Sequence, residues 1–295
     1  ENDIPLGLIL EELIQLGEKV NMVKALEYIS QHAGLLVSPA PKRYKFAHGQ
    51  FREYLAARHI ATMKDSVPHA CELYKKHPVA WTEVILMLAD IYSSMGLSEK
   101  IWVLVDNLAS LGGARATALA AQVFLEQRIG AIPVFRDYQD KFVTASLSAL
   151  EFNTSLDAMG RGQILQALSV IGDPRSGVGI NQRIPQFEWV QLPEGYATIG
   201  SNEVELQEIA MSEYSSWDFS REMPSHKAKV AAFAIAKYPV TRAQFRAFVD
   251  DSSGYQNRLW WSKLVEEQDE LIPPTTPYDP TRENWPQTYV RWVDA

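Results

Sequence analysis

The sequence predicts a multidomain chain, mainly α over its first 172 residues and α+β beyond them. Three observations predict this. Apolar residues recur at helical spacing as far as Ile171. A glycine- and proline-bearing joint, Gly172 to Gly179, then interrupts the pattern. Beyond it, short apolar runs bounded by Pro and Gly replace the helical period. A length of 295 residues suits about two domains at the usual ~150 residues each.

The elements follow in order. Residues 4–17 read as a helix with Leu6, Leu10, Leu13 and Ile14 on one side and Gly17 at its end. Residues 21–32 repeat the pattern, with Asn21 as cap and Gly34 as stop. Leu35 to Val37 and Tyr44 to Phe46 are two short strands around Pro39-Ala40-Pro41, and a helix follows over about 49–61. Helix, helix, hairpin wing and helix make a winged-helix-like domain of residues 1–62. Residues 63–172 read as all-helical, a short α-solenoid or helical bundle. Trp81, Val84, Ile85, Leu88, Ile91, Tyr92 and Met95 keep the helical period, and that helix is apolar almost all round, which places it centrally. Ser98 caps the next helix and Gly112-Gly113 end it. Ala114 to Gln127 is an Ala-rich helix, and further helices fall at about 134–151 and 155–171. No strict repeat is visible.

Residues 173–186 read as a linker. Gly172 is a natural helix C-cap and Pro174 blocks continuation. The glycines here do not make a phosphate loop, because no strand precedes them and no Lys-Ser/Thr follows. From Phe187 the chain turns to strands: Trp189 to Leu192, Tyr196 to Ile199, and Lys229 to Ile235. Residues 202–222 are a loop holding Glu203, Glu205, Glu208, Glu213, Asp218 and Glu222 against one base, Arg221. Thr241 caps a helix over 242–250 with Phe245, Phe248 and Val249 inward.

Charge narrows the partners. Residues 1–172 carry 16 Lys+Arg and 18 Asp+Glu, and residues 173–295 carry 12 and 18. An acidic second part argues against nucleic acid and against an anionic membrane, since both need a basic footprint. No apolar run approaches the ~20 residues of a membrane span. One cysteine, Cys71, allows no internal disulfide and fits a reducing cytoplasm. No secretory signal opens the chain, and with no initiator Met the reading places it inside a longer protein.

Two resemblances sharpen the reading. FEWVQLPEGYATIGSNE, then EMPSHKAKVAAFAIAKYPVTRAQFRAFVDDSSGY, then NWPQTYVRWVDA, between Phe187 and Ala295, resemble the first half of the formylglycine-generating-enzyme (sulfatase-modifying factor) domain. That resemblance implies a C-type-lectin-like α+β fold, incomplete in this chain. The family's oxidase chemistry uses a cysteine pair and copper, and its Gly-Asn-Val-x-Glu-Trp signature belongs to the second half. Neither the pair nor the signature is present in these residues, and a fold match alone does not fix function.

AGLLVSPAPKRYKFAHGQFREYLAARHIA is similar to the end of the winged-helix domain in NACHT/STAND-type signalling NTPases. The residues in register are Phe46, His48, Phe51, Glu53, Tyr54, Leu55, Ala56 and Ala57. That resemblance implies that His48 contacts an ADP phosphate in the intact protein, with ADP/ATP and magnesium as cofactors. An imidazole N–H at a helix start suits an anion, and a His capping the helix is the plainer reading.

Together these imply the relay and ligand-sensing part of a nucleotide-switched bacterial signalling or defence ATPase, non-catalytic in itself. Its expected partners are an upstream NTPase core, a protein or small-molecule ligand at the C-terminal domain, and further copies of itself. Trp217, Trp260, Trp261 and Trp285 lie in or near loops and are candidates for that ligand surface, with core packing as the commoner fate of Trp. Two alternatives stand beside this reading. One is a formylglycine-generating or related metal-dependent oxidase. The other is a helical interaction scaffold. No metal site is expected: His226 has no histidine at ligand spacing, and the acidic loop lacks an alternate-position calcium pattern. His32, His59, His69 and His77 have no serine and carboxylate arrangement around them.

Overall fold

The computed structural model describes residues 4–5, 9, 24, 26, 28–30, 34–127, 136–152, 156–210, 218–262, 271–274, 276–291 and 294. The chain divides into two compact units, Glu1–Ile171 and Gly172–Ala295.

The first unit opens on a three-stranded antiparallel sheet of order β1-β3-β2: β1 Ile4–Pro5, β2 Leu36–Ala40 and β3 Arg43–Phe46. Residues 4–5 are thus strand, where the sequence predicts the start of a helix. Ile4 pairs with Tyr44 and Pro5 with Arg43. Pro5 has no N–H to give a second neighbour, so it suits this edge. Most of the remainder of that predicted helix, and most of the one over 21–32, fall outside the described residues, and the described positions 9, 24, 26 and 28 are helical. A small sheet followed by helices is what the described residues of this unit show.

Seven helices of the described residues follow: α1 Gly49–Thr62, α2 Ser66–Lys76, α3 Pro78–Ser94, α4 Ser98–Ser110, α5 Ala114–Glu126, α6 Arg136–Phe152 and α7 Ala158–Ile171. Pro78 sits at the first position of α3, where its fixed φ fits and its missing N–H costs nothing. α3 buries Val84, Ile85, Leu86, Leu88, Ala89, Ile91 and Tyr92, as its all-round apolar pattern predicts. It ends at Gly96, which takes a left-handed φ of 70°. Ser98 is the first helical residue of α4 and Leu97 its cap, one position from the sequence reading. The core runs through α1 to α7. Trp102, fully buried, sets its ring edge against Phe124 at 5.6 Å, and Phe124 stacks on Phe142 at 6.0 Å.

In the second unit the predicted linker is structured. β4 Ile180–Asn181 and β5 Ile184–Pro185 form an antiparallel hairpin closed by Gln182 and Arg183. Both central residues have positive φ, 48° and 68°, the backbone of a tight hairpin turn that usually recruits Asn and Gly. Ahead of it, Asp173 binds the Arg175 guanidinium at 2.7 Å and accepts from Asn284 Nδ2 at 2.7 Å. Those bonds hold the Asp173 carboxyl below the usual carboxylate range against the opposing effect of burial.

β6 Trp189–Leu192 pairs with β9 Phe233–Ala236, and β7 Gly195–Ile199 pairs with β8 His226–Val230. β6 and β7 do not pair with each other across Pro193. Continuing the β6–β9 register past the break leads directly into the β7–β8 register, from Leu192↔Phe233 to Gly195↔Val230. The four strands are one bent two-stranded ribbon. Pro193 lacks the N–H for a ladder bond, so the ribbon breaks there and the single strand predicted over 229–235 splits at Ala231-Ala232. A short helix, α8 Glu203–Ala210, lies in the acidic loop. α9 Arg242–Asp250 follows the ribbon. The core of this unit is small: Phe245, Tyr255, Trp261 and Leu271, flanked by Phe248 and Val249.

Candidate functional site

The site is built on α9. Thr241 Oγ1 accepts from the Gln244 backbone N–H at 3.3 Å, and Gln244 Oε1 accepts from the Thr241 N–H at 2.9 Å. This reciprocal pair satisfies two donors that a helix start leaves open. Phe245, Phe248 and Val249 turn inward. Arg242 and Ala243 are tied by their backbone N–H groups to the carbonyls of Trp285 and Glu283, at 2.9 and 3.0 Å. Gln244 is buried, and its Nε2 donates to the carbonyls of Gln186 at 2.6 Å, Gly177 at 3.1 Å and Gly179 at 3.3 Å. Thr241 Oγ1 donates to the Val178 carbonyl at 2.9 Å. One helix end thus carries the β4–β5 hairpin.

The outward face of α9 forms the floor of a cleft of about 530 Å³ between that hairpin and the 278–283 segment. Ala243 and Ala247, one turn apart, leave the space. Arg246 crosses the cleft wall, with Nη2 2.9 Å from Glu283 Oε1 and its guanidinium 4.9 Å from the Tyr278 ring. Arg183 reaches the cleft from the hairpin turn, and Asp250 and Asp251 border it at the C-terminal end of α9. A backbone N–H and the side chain of Ser253 hold the Asp251 carboxyl below its ordinary range.

A second polar group lies in the core. Tyr255 Oη donates to Asp294 Oδ1 at 2.5 Å, and Arg291 grips Asp294 through Nε and Nη2, each at 3.0 Å. Asp294 is buried, and the Arg291 guanidinium pulls its carboxyl down to about 2. Burial and the neighbouring carboxylate push the Tyr255 hydroxyl up. This pairing is an ionic staple joining Tyr255, Arg291 and Asp294, and its carboxylate stays charged at neutral pH.

The described residues singled out by sequence have different surroundings. His48 is exposed just ahead of α1, makes no side-chain cap bond, and lies 5.8 Å from the Phe51 ring. Trp217 falls outside the described residues. Trp260 is 60% exposed, and its Nε1 donates to the Ser253 carbonyl at 2.8 Å. Trp261 is 6% exposed and packs on Tyr255 at 4.8 Å in the core. Trp285 is half-buried under the Arg282 guanidinium at 4.9 Å, and its indole N–H is buried without an acceptor among the described residues. Arg183, Arg246, Asp250 and Asp251 went unread in the sequence. The one signal for Arg183 is a Gln-Arg pair between Ile180-Asn181 and Ile184-Pro185, which lacks the usual turn glycine.

Among the described residues no three His, Cys, Asp or Glu side chains gather into a ligand set. Cys71, the single thiol, is buried in the first unit, and desolvation pushes it up to about 12, so it stays protonated. His226 Nδ1 lies 3.1 Å from the Pro224 carbonyl on the exposed ribbon. Among the described residues no helix is long and apolar enough to cross a membrane.

Comparison with known proteins assigns the second unit to a kind of fold. Residues 178–295 match the family model of the sulfatase-modifying factor enzyme 1-like domain. The chain is also similar to two hercynine oxygenases. That of Mycolicibacterium thermoresistibile is 54% identical over 41 residues, 14% of this chain and 9% of that protein. That of Mycolicibacterium smegmatis is 42% identical over 53 residues, 18% of this chain and 12% of that protein. The chain thus spans about a tenth of the length of the curated relatives it matches. No solved structure matches it significantly. These matches overturn the signalling-ATPase reading: the similar proteins are hercynine oxygenases, and the matched domain is of the sulfatase-modifying factor enzyme 1-like kind.

Proposed function

We propose that the protein carrying this chain is an oxidase of the sulfatase-modifying-factor kind, and that residues 172–295 supply its frame and its substrate-side surface. The observation that carries the reading is the family match over 178–295, the stretch that the Thr241–Gln244 clamp ties together. The similarity to hercynine oxygenases supports oxygen as the oxidant and a small nitrogenous molecule as the substrate class. The described residues contribute no metal centre, so no step through a metal is assigned to them. Their contribution is positional, since catalysis depends on groups held within a fraction of an ångström by a rigid frame.

The test is an oxygen electrode. Purified protein is supplied with iron(II) or copper(I), then with hercynine or with a cysteine-containing peptide. Substrate-dependent oxygen uptake is the expected result. Absence of uptake with every combination overturns the reading.

A further inference from the structure

We propose that the cleft on the outer face of α9 is a binding site for a free basic amino acid. Its volume, about 530 Å³, lies in the ~300–1,000 Å³ range of small-molecule sites. Its charges select the ligand.

Two of the charges answer each other. Arg246 is neutralised by Glu283 and lies against Tyr278, so it shapes the wall without seeking a ligand. Arg183 is different. It has no acidic partner among the described residues, and it is delivered by a turn in which two consecutive non-glycine residues adopt left-handed backbone. Such backbone is costly for side chains with a Cβ, and strained conformations of this kind collect where a side chain must be aimed. A guanidinium fork open to the cleft suits a carboxylate, which it can engage with two parallel hydrogen bonds.

The opposite end is acidic. Asp250 and Asp251 have no cationic partner among the described residues, and they sit where the α9 dipole is negative. Two carboxylates there suit a cation. Counting Arg183 and Arg246 against Asp250, Asp251 and Glu283 leaves the cleft one negative charge. A ligand with one carboxylate and two cationic groups complements both the sum and the arrangement. Its carboxylate lies on Arg183 and its side-chain cation reaches Asp250 and Asp251, over the floor left by Ala243 and Ala247. The cleft is open to water, so the affinity is modest and falls with salt.

This site stands whether or not the oxidase reading does, because its test reads binding alone. Titration calorimetry at low ionic strength with L-arginine and L-lysine measures it directly, with agmatine, which lacks the carboxylate, and L-alanine, which lacks the second cation, as controls. L-Arginine binds at least tenfold more tightly than either control. Asp251→Asn and Arg183→Gly each weaken it about tenfold or more. Arg183→Gly also keeps or raises the thermal midpoint, because glycine relieves the left-handed turn, so its loss of binding is not a loss of folding. Failure of L-arginine to bind below about 10 mM, equal affinity for agmatine, or unchanged binding by a folded Arg183→Gly protein overturns the proposal.

Discussion

Gln244 reaches back 58 residues to Gln186, its side-chain nitrogen donating to the Gln186 carbonyl at 2.6 Å from inside the α9 cap. The same carboxamide receives the Thr241 N–H, so one side chain joins a helix start to a hairpin. Gln244→Leu strands that N–H and leaves the carbonyls of Gly177 and Gln186 without their donor, while the Gly179 carbonyl keeps the Gln186 N–H. Buried unmet polar groups cost ~1–3 kcal/mol each, so a loss of about 3 kcal/mol is expected in urea unfolding. Gln244→Glu is expected to be worse, because it sets a carboxylate against those carbonyls.

The cap itself was legible in the sequence, because Thr ahead of an apolar-periodic run is a helix-start signal. The second task of Gln244 was not, since it depends on which distant carbonyls the fold brings near. The helical period likewise gave α3 and its central place. The split of the 229–235 strand was not read, because it is caused by Pro193 on the opposite strand. The β4–β5 hairpin was missed for a similar reason: two-residue strands are too short to show alternation, and Gln-Arg is a poor turn signal. Trp260 and Trp261 are adjacent in sequence, yet one is exposed and one is core. Only packing against Tyr255 separates them.

Asp294 gives a pH dependence. Its folded carboxyl titrates at about 2, below the ordinary value of 3.8, because Arg291 and Tyr255 hold the charged form. A depressed folded value means the stabilisation is complete above pH ~4 and is lost as pH falls through about 2. Asp294→Asn is therefore expected to be less stable at pH 7 and to show a flatter decline of stability between pH 4 and pH 2. Denaturant titrations across that window measure both slopes.

Gly254 is required for space. A Cβ there would run into the Phe248 carbonyl oxygen, which accepts the Tyr255 N–H at 3.1 Å. Neighbouring backbone cannot yield without breaking that bond. Gly254→Ala is expected to cost about 2 kcal/mol, within the range for overpacking, and to lower the thermal midpoint.

Cys71 is expected to be inert in the folded protein. Its thiol is buried and raised to about 12, so almost no thiolate exists at pH 8. A thiol-reactive dye should label it slowly in buffer and fully in denaturant. Rapid labelling of the native protein would show that the first unit opens around α2.

The measurement that bears most directly on the proposed function pairs oxygen uptake with nucleotide turnover on one preparation. The oxidase reading predicts uptake that rises on adding hercynine or a cysteine-containing peptide with iron(II) or copper(I), and no release of phosphate from ATP. Phosphate release with no substrate-dependent uptake would contradict it.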